Sequence, residues 1–589
     1  MRTRPILRMM AVMLLSLVVA LTAGAQYGRG DKRYRDRFNR ANTYGDVVEL
    51  RLTSPGTLEE KMPPGMTERV RLLRIDGPLD SKDFEFIKKL CKRSHCYDDK
   101  ERKIDNYLDL ELGNARIMSA GTKGLLRNNG ERDVLGDALA YCSHLRSIVL
   151  PERIKRIDNN ALRGCSDLVE VIMPPGVRLL GDNAFGSCYK LEYITLNDGL
   201  ESIGDGCFEG CYNLKNVGLP RTLTEIGKRA FKGTGMQQVA LPYGLKSLGA
   251  EVFDGTPLIS LHLPASVRIE DNNLGRMEKL EEITVDNGNR YYTYEDGVLY
   301  DNPGSVLLLY PAARQGAFMV PDDVECIAPR AFAHSRLSQI SIPVSVAEIG
   351  DNTFYECQHL QQVDLPGVKR LGVRAFGDCK VLESVVAKVL NEVPASAFEG
   401  CSALRGAELS PEINTIGERA FKHCKAMTHI DLPAQLTTIS KEAFEGCALS
   451  SLDLPVGVVT VGDRAFKSNK AITRVTLPDA CAKLGKEAFR ECTSLALIDL
   501  GRGLLSLGDN ALRETAITTL VIPETVTEIG KKITEKCKSL TRIECHATLP
   551  PKLDKESNSK VELYVPASSV GAYRSAKTWK NFKTVLPLE

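Results

Sequence analysis

From Leu145 to Ser539 the chain repeats one pattern of apolar and polar positions every 22 or 23 residues, L-x-x-I-x-L-P-x-x-[LV]-x-x-[IL]-G-x-x-A-F-x-x-C. LVEVIMPPGVRLLGDNAFGSCYK from Leu168 is followed at once by LEYITLNDGLESIGDGCFEGCYN, which keeps the same skeleton. Within each copy the L-x-x-I-x-L segment alternates with the two-residue period of a half-buried strand. Proline and often glycine then turn the chain, a second short apolar stretch follows, and Ala-Phe marks a helical turn. One such coil cannot bury its own apolar residues, whereas coils stacked at about the 4.8 Å strand spacing bury them against one another. The fixed period therefore predicts a repeat solenoid of short strands and helical turns.

VDNGNRYYTYEDGVLYDNPGSVLLLYP, from Val285, breaks the pattern and reads as a hairpin insert over 285–320. Ahead of the repeats, RVRLLRIDGPLDSKDFEFIKKLC reads as a strand, a turn and a helix, and LDLELGNARI as extended. Residues 26–116 are thus assigned to a basic arm and an α/β N-terminal cap, 117–546 to the solenoid and 547–589 to a C-terminal cap. Caps are expected because the end coils must hide an open apolar face.

The repeat skeleton, the N-x-x-Y-x-x-x-D-G-V-L-Y pattern of the insert and the closing stretch YVPASSVGAYRSAKTWKNF resemble the BspA-type family of bacterial leucine-rich-repeat surface proteins, over roughly Ile117 to His546. The resemblance implies an exported surface protein of a host-associated bacterium. The asparagine ladder of other leucine-rich repeats is missing, so their binding surfaces are not carried over.

One tryptophan and 6% aromatics in 589 residues are thin for several conventional cores. A formal net charge of +2 leaves no global field to recruit nucleic acid or a membrane surface. At the start, Arg2, Arg4 and Arg8 precede the apolar run MMAVMLLSLVVAL and then Ala23-Gly24-Ala25. This reads as a secretory signal over 1–25, with export to the cell surface or medium expected and the periplasm as the alternative. No other apolar run reaches the roughly 18 residues of a membrane helix.

Eleven cysteines between Cys142 and Cys537 share one repeat position, which other copies fill with Thr234, Thr256, Asn469 or Thr515. A zinc site would not tolerate threonine there. Equivalent side chains about 4.8 Å apart also fall outside the roughly 3.5–4.5 Å between the Cβ atoms of a disulfide. The row is read as a buried packing ladder, and neither metal nor cofactor is expected. In CKRSHC, Cys91 and Cys96 flank His95; a local disulfide is the first reading, free thiols the second and a metal site the third. Arg29-Gly30-Asp31 spells an integrin-recognised tripeptide, for which coincidence is the favoured reading.

Catalysis finds little support. The eight histidines are scattered, with no H-E-x-x-H, no G-x-S-x-G and no phosphate-cradling glycine loop. The expectation is a binding scaffold rather than an enzyme. Position five of L-x-x-I-x-L should face outward between two inward positions. After the insert, six of its ten occupants are acidic: Asp364, Glu408, Asp431, Asp453, Asp499 and Glu544. Glu408, Asp431 and Asp453 fall in consecutive coils, so they either share a cation or basic partner, or are offset by Arg405, His429 and Arg474 and by solvent. Tyr291, Tyr292 and Tyr294 crowd the insert with Tyr300 and Tyr310; hairpin pairing is the favoured reading and a stacking or anchoring surface the other. These acids and the first three tyrosines are the candidate ligand residues. The expected function is adhesin-like recognition of a protein or glycan partner by the strand face. A self-associating cell-envelope protein is the alternative.

Overall fold

A computed structural model of the protein describes residues 46–98, 101–118, 133–553 and 560–588. The expected leader, the basic arm and Arg29-Gly30-Asp31 lie outside the described residues. The chain divides into two compact units, Met1–Gly297 and Val298–Glu589, and each is a parallel-strand solenoid.

In the first unit, seven two-residue strands, from Val134–Leu135 to Arg268–Ile269, form a continuous parallel back sheet. In every pair but Val134–Leu135, where both are buried, one residue points out and the isoleucine or leucine points in, as in Glu225 and buried Ile226. The L-x-x-I-x-L segments supply a front sheet through Leu145–Val149, Glu170–Ile172 and Tyr193–Ile194, again in parallel register. Asp46–Arg51, Val70–Leu79 and Leu108–Glu111 extend this sheet at its N-terminal end. The helix Ser81–Cys91 packs Phe84, Phe86, Ile87 and Leu90 inward. A capping box of Asp80 and Asp83 starts it. The buried Asp83 carboxylate also accepts from the Gly56 and Leu58 amides at 2.7 and 2.9 Å, tying the preceding loop to the helix.

The second unit starts with an antiparallel hairpin, Val298–Asp301 with Val306–Leu309, and then returns to parallel coils. Its back sheet runs from Val306–Leu309 to Arg370–Leu371 and again from Thr415–Ile416 to Lys552–Leu553. At the C-terminal end, Glu562–Val565 and Thr584–Pro587 join the front sheet. Trp579 and Phe582 cover the apolar end, leaving a void of about 10 Å³ among Ile522, Ile529, Ile533, Ile543 and Leu553. The Trp579 indole N–H donates to the Pro551 carbonyl at 2.9 Å, so its one polar group is satisfied on burial.

The A-F-x-x-C segments fold as consecutive tight turns rather than regular helix. Cys188 N–H donates to the Phe185 carbonyl, and Ala184 N–H to that of Gly181. Left-handed residues bracket each phenylalanine, as with Arg419 (φ 58°) and His423 (φ 62°) around Phe421. The rings stack from coil to coil. Phe185, Phe208, Phe231 and Phe253 lie 5.3, 5.4 and 6.2 Å apart in the first unit. Eight rings from Phe332 to Phe489 follow one another at 4.8–5.5 Å in the second. This near-parallel stacking holds the coils at one pitch. The glycine after each back strand serves close approach: a Cβ on Gly372 would lie 2.2 Å from the backbone of Gly350 in the previous coil.

The cysteine row is part of the same interior. Cys424 Sγ donates to the Phe398 carbonyl of the previous coil at 3.2 Å, and Cys188, Cys379 and Cys492 repeat the contact at 3.2, 2.9 and 3.2 Å. Where threonine replaces cysteine, the hydroxyl turns to its own coil, as Thr234 does to the Phe231 carbonyl at 2.9 Å. Burial pushes these thiols up, to about 12 for Cys447 and Cys492, which keeps them protonated as donors. The first reading of Cys91 and Cys96 as a local disulfide is corrected. Cys91, at the helix end, faces Cys142 of the first coil, while Cys96 donates to the Asp105 carbonyl at 3.2 Å.

Candidate binding surface on the front strands

Strand alternation puts positions four and six of L-x-x-I-x-L inside and position five outside. In Gln362–Asp364 the pattern is exposed, buried, exposed, with Asp364 outward. Glu408 is exposed in Gly406–Leu409 and sits opposite Val386 of the neighbouring strand. Asp499 ends Leu497–Asp499 and accepts from the Gly501 amide at 3.0 Å. Asp431 is 96% exposed and Asp453 is also in solvent.

No strand ladder joins the three carboxylates of the expected column. Asp431 and Asp453 lie in no strand, and the ladder that holds Glu408 ends with its own strand. The identical sequence pattern does not by itself enforce pairing there. The column is partly offset by cations. Lys388 Nζ lies 2.9 Å from Glu408, a hydrogen bond that raises the lysine pKa. His429 Nε2 lies 3.0 Å from Asp431, with its Nδ1 3.1 Å from the Ser451 hydroxyl. Arg405 pairs instead with Glu383 at 3.4 Å. Glu544 is half-buried and bound to Arg542 at 2.6 Å.

The tyrosines of the insert separate into two kinds. Tyr292 is only 4% exposed, and its hydroxyl accepts from the Ile269 amide at 2.8 Å and donates to Asn272 at 3.0 Å. It is a packing residue. Tyr300 and Tyr310 are buried likewise, which leaves Tyr291 and Tyr294 in solvent. The guanidinium of Arg268 lies 5.7 Å from the Tyr291 ring centre.

A second tyrosine feature was not anticipated. Tyr189 and Tyr212 stack at 5.6 Å with planes 11° apart, 47% and 60% exposed. Each follows a ladder cysteine in consecutive coils, GSCYK and EGCYN, so repeat alignment carried the signal. Among the described residues no group of three or more metal-capable side chains converges, and no helix is long and apolar enough to cross a membrane.

The family model of the BspA type leucine-rich repeat region matches residues 134–259, 201–295, 325–433 and 414–541, more than half of the chain. Among solved structures, a leucine-rich repeat protein from Eubacterium ventriosum is 26% identical, over 56% of this chain and 89% of that one, with a TM-score of 0.49. One from Bacteroides ovatus is 20% identical, over 75% and 92%, with a TM-score of 0.35. A leucine-rich cell surface protein from Faecalibacterium prausnitzii is 22% identical, over 68% and 84%, with a TM-score of 0.33. No curated protein matches the chain.

Proposed function

Because the chain belongs to the BspA-type leucine-rich-repeat family, we propose that it is an exported scaffold whose front strand face holds a basic protein partner at or outside the cell surface. The observation that carries this reading is the contrast between inside and outside. Interior positions repeat from coil to coil, whereas outward position five is free to vary and is nevertheless acidic at Asp364, Glu408, Asp431, Asp453 and Asp499. Exposed carboxylates favour a partner of opposite charge and disfavour an anionic glycan. Asp431 and Asp453 are the residues proposed to contribute most, since both are exposed and lie outside any strand. Tyr291 and Tyr294 are proposed as a second contact, able to bury aromatic area at low entropic cost.

The test is direct. The mature protein is immobilised and probed with basic extracellular proteins, neutral proteins, and neutral and anionic glycans at low and high salt. Saturable, salt-sensitive binding of a basic protein that is lost on combining Glu408→Gln, Asp431→Asn and Asp453→Asn supports the proposal. Binding confined to glycans, or self-association alone, would overturn it.

A further inference from the structure

Neighbouring coils can be bonded along three lines: the back strands, the turn edge around the phenylalanines, and the front strands. The turn edge is bonded at step after step, for instance Phe376 N–H to the Ala397 carbonyl and Phe444 N–H to that of Ala465, each 2.8 Å. The front is not. Among the described residues of the second unit its ladder is missing between Arg336–Ser341 and Gln362–Asp364, between Gly406–Leu409 and residues 428–432, between 428–432 and 450–454, between 450–454 and Arg474–Thr476, and between Leu497–Asp499 and Thr519–Ile522. Isolated bonds cross the step from 428–432 to 450–454, Ser450 N–H to the Thr428 carbonyl at 3.0 Å and His429 Nδ1 to the Ser451 hydroxyl at 3.1 Å.

All of these steps except the one from Arg336–Ser341 to Gln362–Asp364 have turn edges joined by ion pairs. Arg419 and Lys422 reach Glu442 at 2.8 and 2.6 Å. The next step joins Arg464 to Glu442 at 3.4 Å and Lys467 to Glu445 at 3.5 Å. The third joins Arg464 to Glu487 at 3.0 Å, and the last Arg513 to Glu535 at 2.6 Å. From the Phe421 coil to the Phe489 coil the paired charges alternate in sign, so the two inner coils attract both neighbours. Where front strands pair, from Gln362–Asp364 through Ser384–Ala387 to Gly406–Leu409, no ion pair joins the turn edges among the described residues. His334 and Glu356, 3.3 Å apart across a laddered step, are an exception, and that pair is charged only when the histidine is protonated.

In the first unit one step shows the same combination, although the unladdered step from Tyr193–Ile194 to 215–219 has no ion pair at its turn edges among the described residues. Its front segments 215–219 and 237–241 lie in no strand. The turn edges of those two coils are joined by Arg229 to Glu251 at 2.7 Å and Lys232 to Asp254 at 3.2 Å. Across the laddered steps from Leu145–Val149 to Tyr193–Ile194 the corresponding left-handed positions hold Asn160, Asn183 and Gly206 instead.

We propose that the front face is built of hydrogen-bonded blocks separated by adjustable steps, and that the alternating turn-edge charges are the clamps that set how far each step opens. A laddered step is fixed by backbone bonds that salt does not screen. A clamped step lacks those front bonds, and side-chain charges in partial contact with solvent add to its back-strand and turn-edge bonds, so it loosens when they are screened or removed. This device stands independently of what binds the front face.

Hydrogen exchange followed by mass spectrometry on the intact protein tests it. One set of amides is Glu442, Phe444 and Gly446, bonded across a clamped step to Asp463, Ala465 and Lys467 at 2.8 Å each. The comparison set is Phe376 and Asp378, bonded across a laddered step to Ala397 and Glu399 at 2.8 and 2.7 Å. High salt, Glu445→Gln or Glu442→Gln should speed the first set about tenfold while the second changes less than about twofold. If Glu442→Gln fails to fold, the salt series on the unaltered protein and Glu445→Gln decide the matter. Equal acceleration of both sets, or of neither, overturns the proposal.

Discussion

Up to Gly297, the large side chains left in solvent are mostly tyrosines: Tyr141, Tyr189, Tyr193, Tyr212, Tyr243, Tyr291 and Tyr294. From Val298 onward no described tyrosine is exposed, the exposed apolar residues are aliphatic, and the front column turns acidic. Inside, the two units are alike, with the same stacked phenylalanines and the same row of small polar side chains bonded to carbonyls. Stacking restricts what can sit in the interior, whereas side chains in solvent answer to whatever touches them. The difference between the units is therefore where specificity is to be sought, and the sameness is where stability lies.

The largest test strikes at the sameness. Phe208→Ala in the first unit and Phe421→Ala in the second each delete a fully buried ring and should each cost about 3–5 kcal/mol in denaturant unfolding. Phenylalanine to leucine at either site should cost much less, since Leu162 and Leu512 occupy this position naturally. A loss in one unit more than twice that in the other would break the claim of a common interior.

The clamps differ between the units in burial. Glu442 has a nearly covered side chain; burial pushes its pKa up, but the hydrogen bonds and charges of Arg419 and Lys422 prevail and hold it at about 2. Glu442→Gln should cost about 2 kcal/mol at neutral pH. Glu251→Gln should cost less than about 1 kcal/mol, because its partner Arg229 is half in solvent. A depressed carboxylate stabilises the fold above its unfolded value near 4.5 and loses that contribution as pH falls toward 2. Wild type and Glu442→Gln should therefore converge in melting temperature as pH is lowered from about 5 to 2. A constant gap across that window would reject the assignment.

Cys424→Ser should cost about 1 kcal/mol, as a shorter and more polar group replaces a thiol aimed at the Phe398 carbonyl. Titration of the denatured, unreduced protein should count the ladder thiols as free. Finding them oxidised in pairs would overturn the packing account. The smallest expected change in stability, less than about 0.5 kcal/mol, belongs to the combined Glu408→Gln, Asp431→Asn and Asp453→Asn variant. Its large effect should fall on binding, with a flatter salt dependence, while Tyr189→Ser with Tyr212→Ser leaves that binding unchanged. If the tyrosine pair matters more than the acids, the second unit is not the ligand-bearing one.

The linear pattern determined a great deal. A 22- or 23-residue period with fixed apolar positions specifies coils that must stack, and the freedom to exchange Cys424 equivalents for Thr234 or Asn469 marks packing rather than chemistry. These features are legible because every copy restates them. The sequence did not reveal that Tyr292 is internal, since its neighbours Tyr291 and Tyr294 look the same in the linear order. Nor did it reveal that Arg419, Glu442 and Arg464 adopt left-handed backbone, a conformation usually left to glycine and asparagine. Above all, MTHIDL from Met427 and LSSLDL from Leu449 match the strand pattern as well as any copy, yet form no ladder. Alternation along a segment decides which side chains face inward, a local matter. Whether two such segments form a ladder depends on how the backbone groups of neighbouring coils align across the front, and only the tertiary structure decides it.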